Sequence, residues 1–151
     1  MKPFKILTLI ALVAVFSSCS KDDDNNDREV ILTESEIPSA VMTYKTTHFP
    51  DHGIIRAIQD TEWSTITYEL DLEGNFELDF NADHQITDID GASKLPDSVI
   101  PQPLLDYVSQ HYADQFITDW ELEANYQQIE LSNGMELEFD MDGTFRRIDN
   151  D

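Results

Sequence analysis

The chain has 151 residues, enough for one ordinary domain or two very small ones, and its 40% apolar content supports a packed core rather than wholesale disorder. Lys and Arg number 9 against 31 Asp and Glu, a formal charge of -22 that excludes nucleic-acid binding and disfavours anionic lipid surfaces, since both need a basic footprint. The single cysteine excludes an internal disulfide and any Cys-based zinc site.

Lys2 and Lys5 form a positive start, and Ile6 to Phe16 form an apolar run too short to stay in a bilayer as a spanning helix. Phe16-Ser17-Ser18-Cys19 follows and resembles a bacterial lipobox. That resemblance implies a lipoprotein signal peptide over 1–18, cleavage before Cys19 and lipidation of Cys19. The acyl chains would then be the chain's only hold on the membrane. Ser20 to Asp27 contain no apolar residue, and an acidic tether is expected over 19–32. A Cys-Ser-Lys-Asp-Asp-Asp start is also similar to lipoproteins of the Bacteroidetes group. The expected location is therefore the cell envelope, at the outer membrane, facing either the periplasm or the cell surface.

The rest of the chain repeats itself. Ile37-Pro38, Val41, Tyr44, His48 and Phe49 recur 63 positions on as Ile100-Pro101, Leu104, Tyr107, His111 and Tyr112. Phe76, Leu78, Phe80, Asp83, Ile86, Ile89 and Asp90 recur 59 positions on as Met135, Leu137, Phe139, Asp142, Phe145, Ile148 and Asp149. The second copy has lost four residues between the two runs, as a shortened turn would.

Each copy should open with a helix. Ser35 offers a cap, Pro38 suits a first turn, and Ile37, Val41, Tyr44 and His48 keep helical spacing until Pro50 and Gly53 end it. Ile54 to Ile58 and Phe116 to Leu122 are the first strands. Ile66, Tyr68, Leu70 and Leu72 alternate with Thr67, Glu69 and Asp71, the pattern of a half-buried antiparallel strand. Glu73-Gly74-Asn75 and Ser132-Asn133-Gly134 read as hairpin turns, and the alternating strands Phe76 to Phe80 and Met135 to Phe139 follow them. A second turn in each copy, Asn81 to His84 and Asp140 to Gly143, leads to strands ending at Asp90 and Asp149. The expected fold is α+β, with two tandem units over 33–91 and 95–151. Each would be a helix plus a four-stranded antiparallel sheet, with the helices on one sheet face and Gly91 to Asp97 as linker.

These residues resemble the PepSY-like domain. The features that carry the resemblance are the Ile-Pro helix start with a later Tyr, Tyr68-Glu-Leu-Asp-Leu72, the Gly turn, Phe76-Glu-Leu-Asp-Phe80, and Ile89-Asp90. The second copy, from Ile129 through Gly143 with Arg147-Ile148-Asp149, is the closer likeness; the first has His84 where the second has Gly143. Tandem copies behind a lipobox are similar to Bacteroidetes envelope proteins called β-lactamase-inhibitor-like. The resemblance, over residues 33 to 151, implies a non-enzyme; its motifs are core and turn positions, which specify fold far better than activity.

Alternation adds a functional expectation. If Leu70, Phe76, Leu78 and Phe80 face the helices, then Glu69, Asp71, Glu77 and Asp79 face away, as do Glu130, Glu136, Glu138 and Asp140 in the second copy. An open acidic face is usually just solvated, but it also suits docking of a basic protein patch, with Trp63 and Trp120 as aromatic anchors near strand ends. The alternative is calcium, gathered around the Asp83 turn and the turn holding Asp140 and Asp142. Asp140-Met-Asp142-Gly143 opens like a calcium loop, yet it lacks an EF-hand's later ligands. His48 and His52 stand four apart, but Pro50 between them spoils a shared helical face for zinc. No nucleophile signature, pair of unlike carboxylates or phosphate loop is legible. The expectation is a lipid-anchored envelope module that binds a protein partner and performs no chemistry, with no cofactor unless it is calcium.

Overall fold

In this computed structural model residues 28–149 are described; the expected signal peptide, Cys19 and the expected tether through Asp27 lie outside them. Nine strands and two helices follow in the order β1 (Arg28–Ile31), α1 (Ser39–His48), β2 (Ile54–Glu62), β3 (Thr65–Leu72), β4 (Phe76–Phe80), β5 (Ile86–Gly91), α2 (Gln102–His111), β6 (Ile117–Leu122), β7 (Tyr126–Leu131), β8 (Glu136–Asp140) and β9 (Phe145–Asp149). The strands form one antiparallel sheet in which spatial order equals chain order.

Three expectations are corrected. The sheet is continuous across the repeat, because β5 pairs with β6, whereas two separate four-stranded sheets would leave two more open edges exposing unpaired backbone groups. The stretch 19–32 is not all tether: Arg28–Ile31, where Val30 and Ile31 follow the all-polar run, pair with Thr61 to Ile58 of β2. The linker is shorter at its start, since Gly91 is the last residue of β5.

A short 3-10 turn precedes each helix, Glu34–Glu36 and Asp97–Val99. Thr33, not Ser35, organises the first: its backbone N–H and hydroxyl both donate to Glu36 Oε2, at 2.8 and 2.6 Å. Pro38 and Pro101 stand at the N-caps, where the missing N–H costs nothing. Apolar residues at strand period two and helix period four meet in a single core. Val41, Leu104 and Val108 from the helices contact a layer including Leu70, Leu72, Leu78, Phe80, Ile89, Ile129, Leu131, Leu137 and Phe139. Both helices therefore cover the same sheet face.

The repeat is visible in side-chain geometry. Tyr44 meets Phe80 edge-on at 5.5 Å and 85°, and Tyr107 meets Phe139 at 5.3 Å and 84°. Tyr44 and His48 stand 4.5 Å apart, Tyr107 and His111 4.4 Å. The copies differ where the core allows it: buried Lys45 occupies the position of buried Val108, its charge placed by a long stem that packs as hydrocarbon. Glycine is required at Gly91, where an added Cβ would lie 2.7 Å from the Phe76 ring, and at Gly143, which adopts φ +85 against Pro103.

Phe139 is fully buried between Tyr107 and Phe145. Phe139→Ala should cost about 3–5 kcal/mol in chemical denaturation. A loss under about 1 kcal/mol would mean that the second half of the core contributes little.

Candidate partner-binding sheet face

Strand alternation sends one side chain in two to the face that the helices leave open. Register then decides which of these become neighbours. One transverse row runs Arg56, Asp71, Glu77, Asp90, Asp119, Glu130, Glu136, Asp149, one residue from each of β2 to β9. A second, two residues along each strand, runs Ile58, Glu69, Asp79, Asp88, Glu121, Gln128, Glu138, Arg147. Twelve carboxylates thus stand in two adjacent rows, seven in the first and five in the second. At the strand spacing of ~4.8 Å each row is roughly 34 Å long.

Arginines stand only at the ends of these rows. Arg56 binds Glu69 and Asp71, each at 2.7 Å, and Arg147 binds Glu138. The centre has acids on all sides. Burial first, and then the neighbouring carboxylates Asp88 and Glu77, push Asp79 up to about 7. Burial, then Glu121, raises Asp88 to about 6; burial, then Asp88 and Asp90, raises Asp119 to about 7. Glu77 and Glu121 are raised by the same causes in the same order. Asp88 Oδ1 is shielded from solvent and has no hydrogen-bond partner.

Of the residues expected at a docking site, Glu69, Asp71, Glu77, Asp79, Glu130 and Glu136 do share this face. Glu138 points the same way, but it is only 4% exposed and bound to Arg147, so it is not open to a partner. The two tryptophans separate. Trp63 sits at the β2–β3 hairpin tip, 72% exposed and at φ +58. Trp120 is a core residue instead, 6% exposed with its indole N–H donated to Gln127, because its place in the alternation faces the helices.

The expected calcium residues do not form one site. Asp83 lies on the β4–β5 turn, whereas Asp140 ends β8 and Asp142 lies on the β8–β9 turn, four strand spacings or roughly 19 Å away. Each turn is closed by its own atoms: Asn81 Oδ1 accepts from the N–H groups of Asp83 and Gln85, and Asp142 Oδ1 accepts from Thr144 N–H. Asp140 pairs with Arg146 at 3.1 Å. The carboxylates that do converge are Glu69, Asp71 and Glu77, with oxygens within 4.8 Å of one another, beside the Arg56 guanidinium.

Sequence reasoning missed Asp88, Asp90, Asp119, Glu121 and Asp149. The signal was present, since Asp88-Ile89-Asp90 and Asp119-Trp120-Glu121 alternate as cleanly as Glu69-Leu70-Asp71. A groove of about 620 Å³ beside α2 is lined by Leu95, Ile100, Leu105 and Phe116, and its Lys94 and Asp97 neutralise each other at 2.8 Å. No acid–base pair of unlike environment meets a nucleophile there.

A family model described as beta-lactamase-inhibitor-like, PepSY-like matches residues 24–88 and again 87–147. The chain belongs to the PepSY-like family. Among solved structures it is similar to a Bacteroides vulgatus protein of the DUF2874 family, described as periplasmic. That pair shares 27% identity at a TM-score of 0.76, covering 86% of this chain and 100% of the other. A Bacteroides thetaiotaomicron protein described as periplasmic and calcium-regulated matches at 22% identity and TM-score 0.77, covering 81% and 97%. A second Bacteroides vulgatus protein, described as periplasmic and of unknown function, matches at 23% and 0.76, covering 82% and 100%. No curated protein matches the chain. The last two likenesses bear on the fold alone.

The raised carboxylates give a stability prediction. Asp79, Asp88 and Asp119 hold protons more tightly folded than unfolded, so their contribution is fully present below about pH 4 and is lost as pH rises through 6 to 7. Glu138 and Asp142 act oppositely, but only below the ordinary carboxylate range. The melting temperature at low ionic strength should therefore be higher near pH 5 than near pH 8, and salt should narrow the gap. A higher melting temperature at pH 8 would contradict this account of the face.

Proposed function

We propose that this PepSY-like protein is a non-enzymatic binding module of the cell envelope, held to the membrane by a lipid on Cys19, whose open sheet face docks a basic segment of a protein partner. The observation that carries the reading is the pair of carboxylate rows, one unbroken and one interrupted only by Gln128, with cations only at their ends. Opposed like charges across strands weaken a sheet by a few tenths of a kcal/mol each. A partner's Lys and Arg side chains relieve that repulsion on docking, so binding energy is drawn from strain already in the free protein. Trp63, exposed at the hairpin tip, supplies an apolar anchor at the rim. The envelope location draws support from the lipobox-like leader and from neighbours described as periplasmic.

Glu77 and Asp90 stand directly opposite each other and are exposed, so reversing both leaves the core untouched. Glu77→Lys with Asp90→Lys should weaken binding of an arginine-rich 12-residue peptide about tenfold or more, measured by calorimetry in low salt, with the fold intact by circular dichroism. Unchanged affinity in the reversed variant would remove the acidic face from the mechanism.

A second reading, capture of a divalent cation, has its own support: three converging carboxylate oxygens at Glu69, Asp71 and Glu77, and a structural neighbour described as calcium-regulated. This version moves the site from the turns to the sheet face. Millimolar Ca²⁺ should then raise the melting temperature by several degrees where equal Mg²⁺ does not, and Asp71→Asn should abolish the difference. Equal shifts from both ions would reduce the effect to charge screening.

A further inference from the structure

The β5–β6 seam, where the two repeats join, differs from the neighbouring strand contacts. Three residue pairs hold it, against five for β4–β5 and five for β6–β7. Tight turns tie β4 to β5 and β6 to β7, whereas β5 and β6 are separated along the chain by residues 92–116, which include α2. Two of the three seam pairs set acid against acid, Asp88 opposite Glu121 and Asp90 opposite Asp119; the third, Ile89 with Trp120, lies on the core side.

The groups facing these four carboxylates do not neutralise them. β4 presents Glu77 and Asp79, and β7 presents Gln128 and Glu130; Glu69 and Asp71 follow on β3, and Glu136 and Glu138 on β8. Glu123 adds its charge beside Glu121. On the core side the polar neighbour of Trp120 is the uncharged Gln127. Among the described residues of the two rows, the cations are Arg56 and Arg147, three or more strands from the seam and engaged by Glu69, Asp71 and Glu138.

We propose that the β5–β6 seam is a charge-governed hinge between the two halves of the sheet, tightening when its carboxylates are protonated or screened and loosening as they ionise. The short ladder gives few hydrogen bonds to oppose opening, and the long connection lets the strands part without breaking a hairpin. The like-charge pairs, directly opposed across the strands, supply the force. Burial of Asp88 and Asp119 brings the ionisation towards neutral pH. The opening is a sub-global one, with β2–β4 and β7–β9 remaining paired.

Amide hydrogen exchange on the full chain, without any partner, tests this directly. Protection factors for 88–90 and 119–121, corrected for intrinsic rates, are compared with those of β3 and β4 between about pH 5.5 and about pH 8 in low salt. Seam protection should fall about tenfold relative to β3 and β4 as pH rises, and about 0.5 M NaCl should restore it. Asp90→Asn with Asp119→Asn, which leaves the Asp88–Glu121 pair, should reduce the fall, and adding Asp88→Asn should hold the seam at its low-pH protection at every pH. In a Trp63→Phe background, Trp120 is the sole remaining tryptophan and should report the same transition by its emission maximum. A seam whose protection is flat with pH and salt, or falls in parallel with β3 and β4, would overturn the hinge.

Discussion

Everything distinctive about this protein depends on a two-residue alternation kept in register across a single sheet. Burying Leu70, Leu78, Ile89, Ile129, Leu137 and Phe139 under the helices forces the intervening residues onto the opposite face. A slip of one residue in any strand would bring carboxylates into the core, so the apolar side locks the register on which the acidic side stands. The repulsion among the acids is spread over many weak contacts, while apolar burial is concentrated in close-packed ones, and the latter wins. The fold therefore tolerates a charge arrangement that its open face, taken by itself, would disfavour.

The proposed binding role of the face draws on that imbalance. A solvated acidic surface would serve solubility equally well with its charges scattered, and would need neither rows nor terminal arginines. Here Arg56 and Arg147 anchor the outer carboxylates and leave the central ones without a counter-charge inside the rows. Asp88, with one oxygen shielded and unbonded, is the clearest expression of that deficit. A basic peptide or a divalent ion would meet the same deficit by different geometry, which is why the proposed experiments separate them by charge reversal and by ion identity.

The two repeats show which positions the fold requires. The tyrosine–phenylalanine edge contact and the tyrosine–histidine pair recur almost unchanged, since both lie where a helix meets the sheet. Lys45 in place of Val108, and His84 in a left-handed turn where the other copy has Gly143, show where the fold is permissive. His84 bears its positive φ of 60 beside the Tyr68 ring, 5.2 Å away, whereas Gly143 must stay small because Pro103 packs against it.

The sequence by itself determined the α+β class, the repeat, the helices, six of the nine strands closely, and the direction of each carboxylate, because these follow from local periodicity and turn chemistry. It also determined that Glu69, Asp71, Glu77, Asp79, Glu130 and Glu136 would share a face. Only the tertiary structure decided that β5 pairs with β6, since nothing local distinguishes an edge strand from an internal one. That one pairing joins two short acidic patches into two long rows and brings Asp88, Asp90, Asp119 and Glu121 together at the centre. It likewise decided that Arg28–Ile31 form a strand, that Trp120 is core, and that the Asp83 and Asp142 turns lie apart, because register and strand order are set by the whole sheet at once.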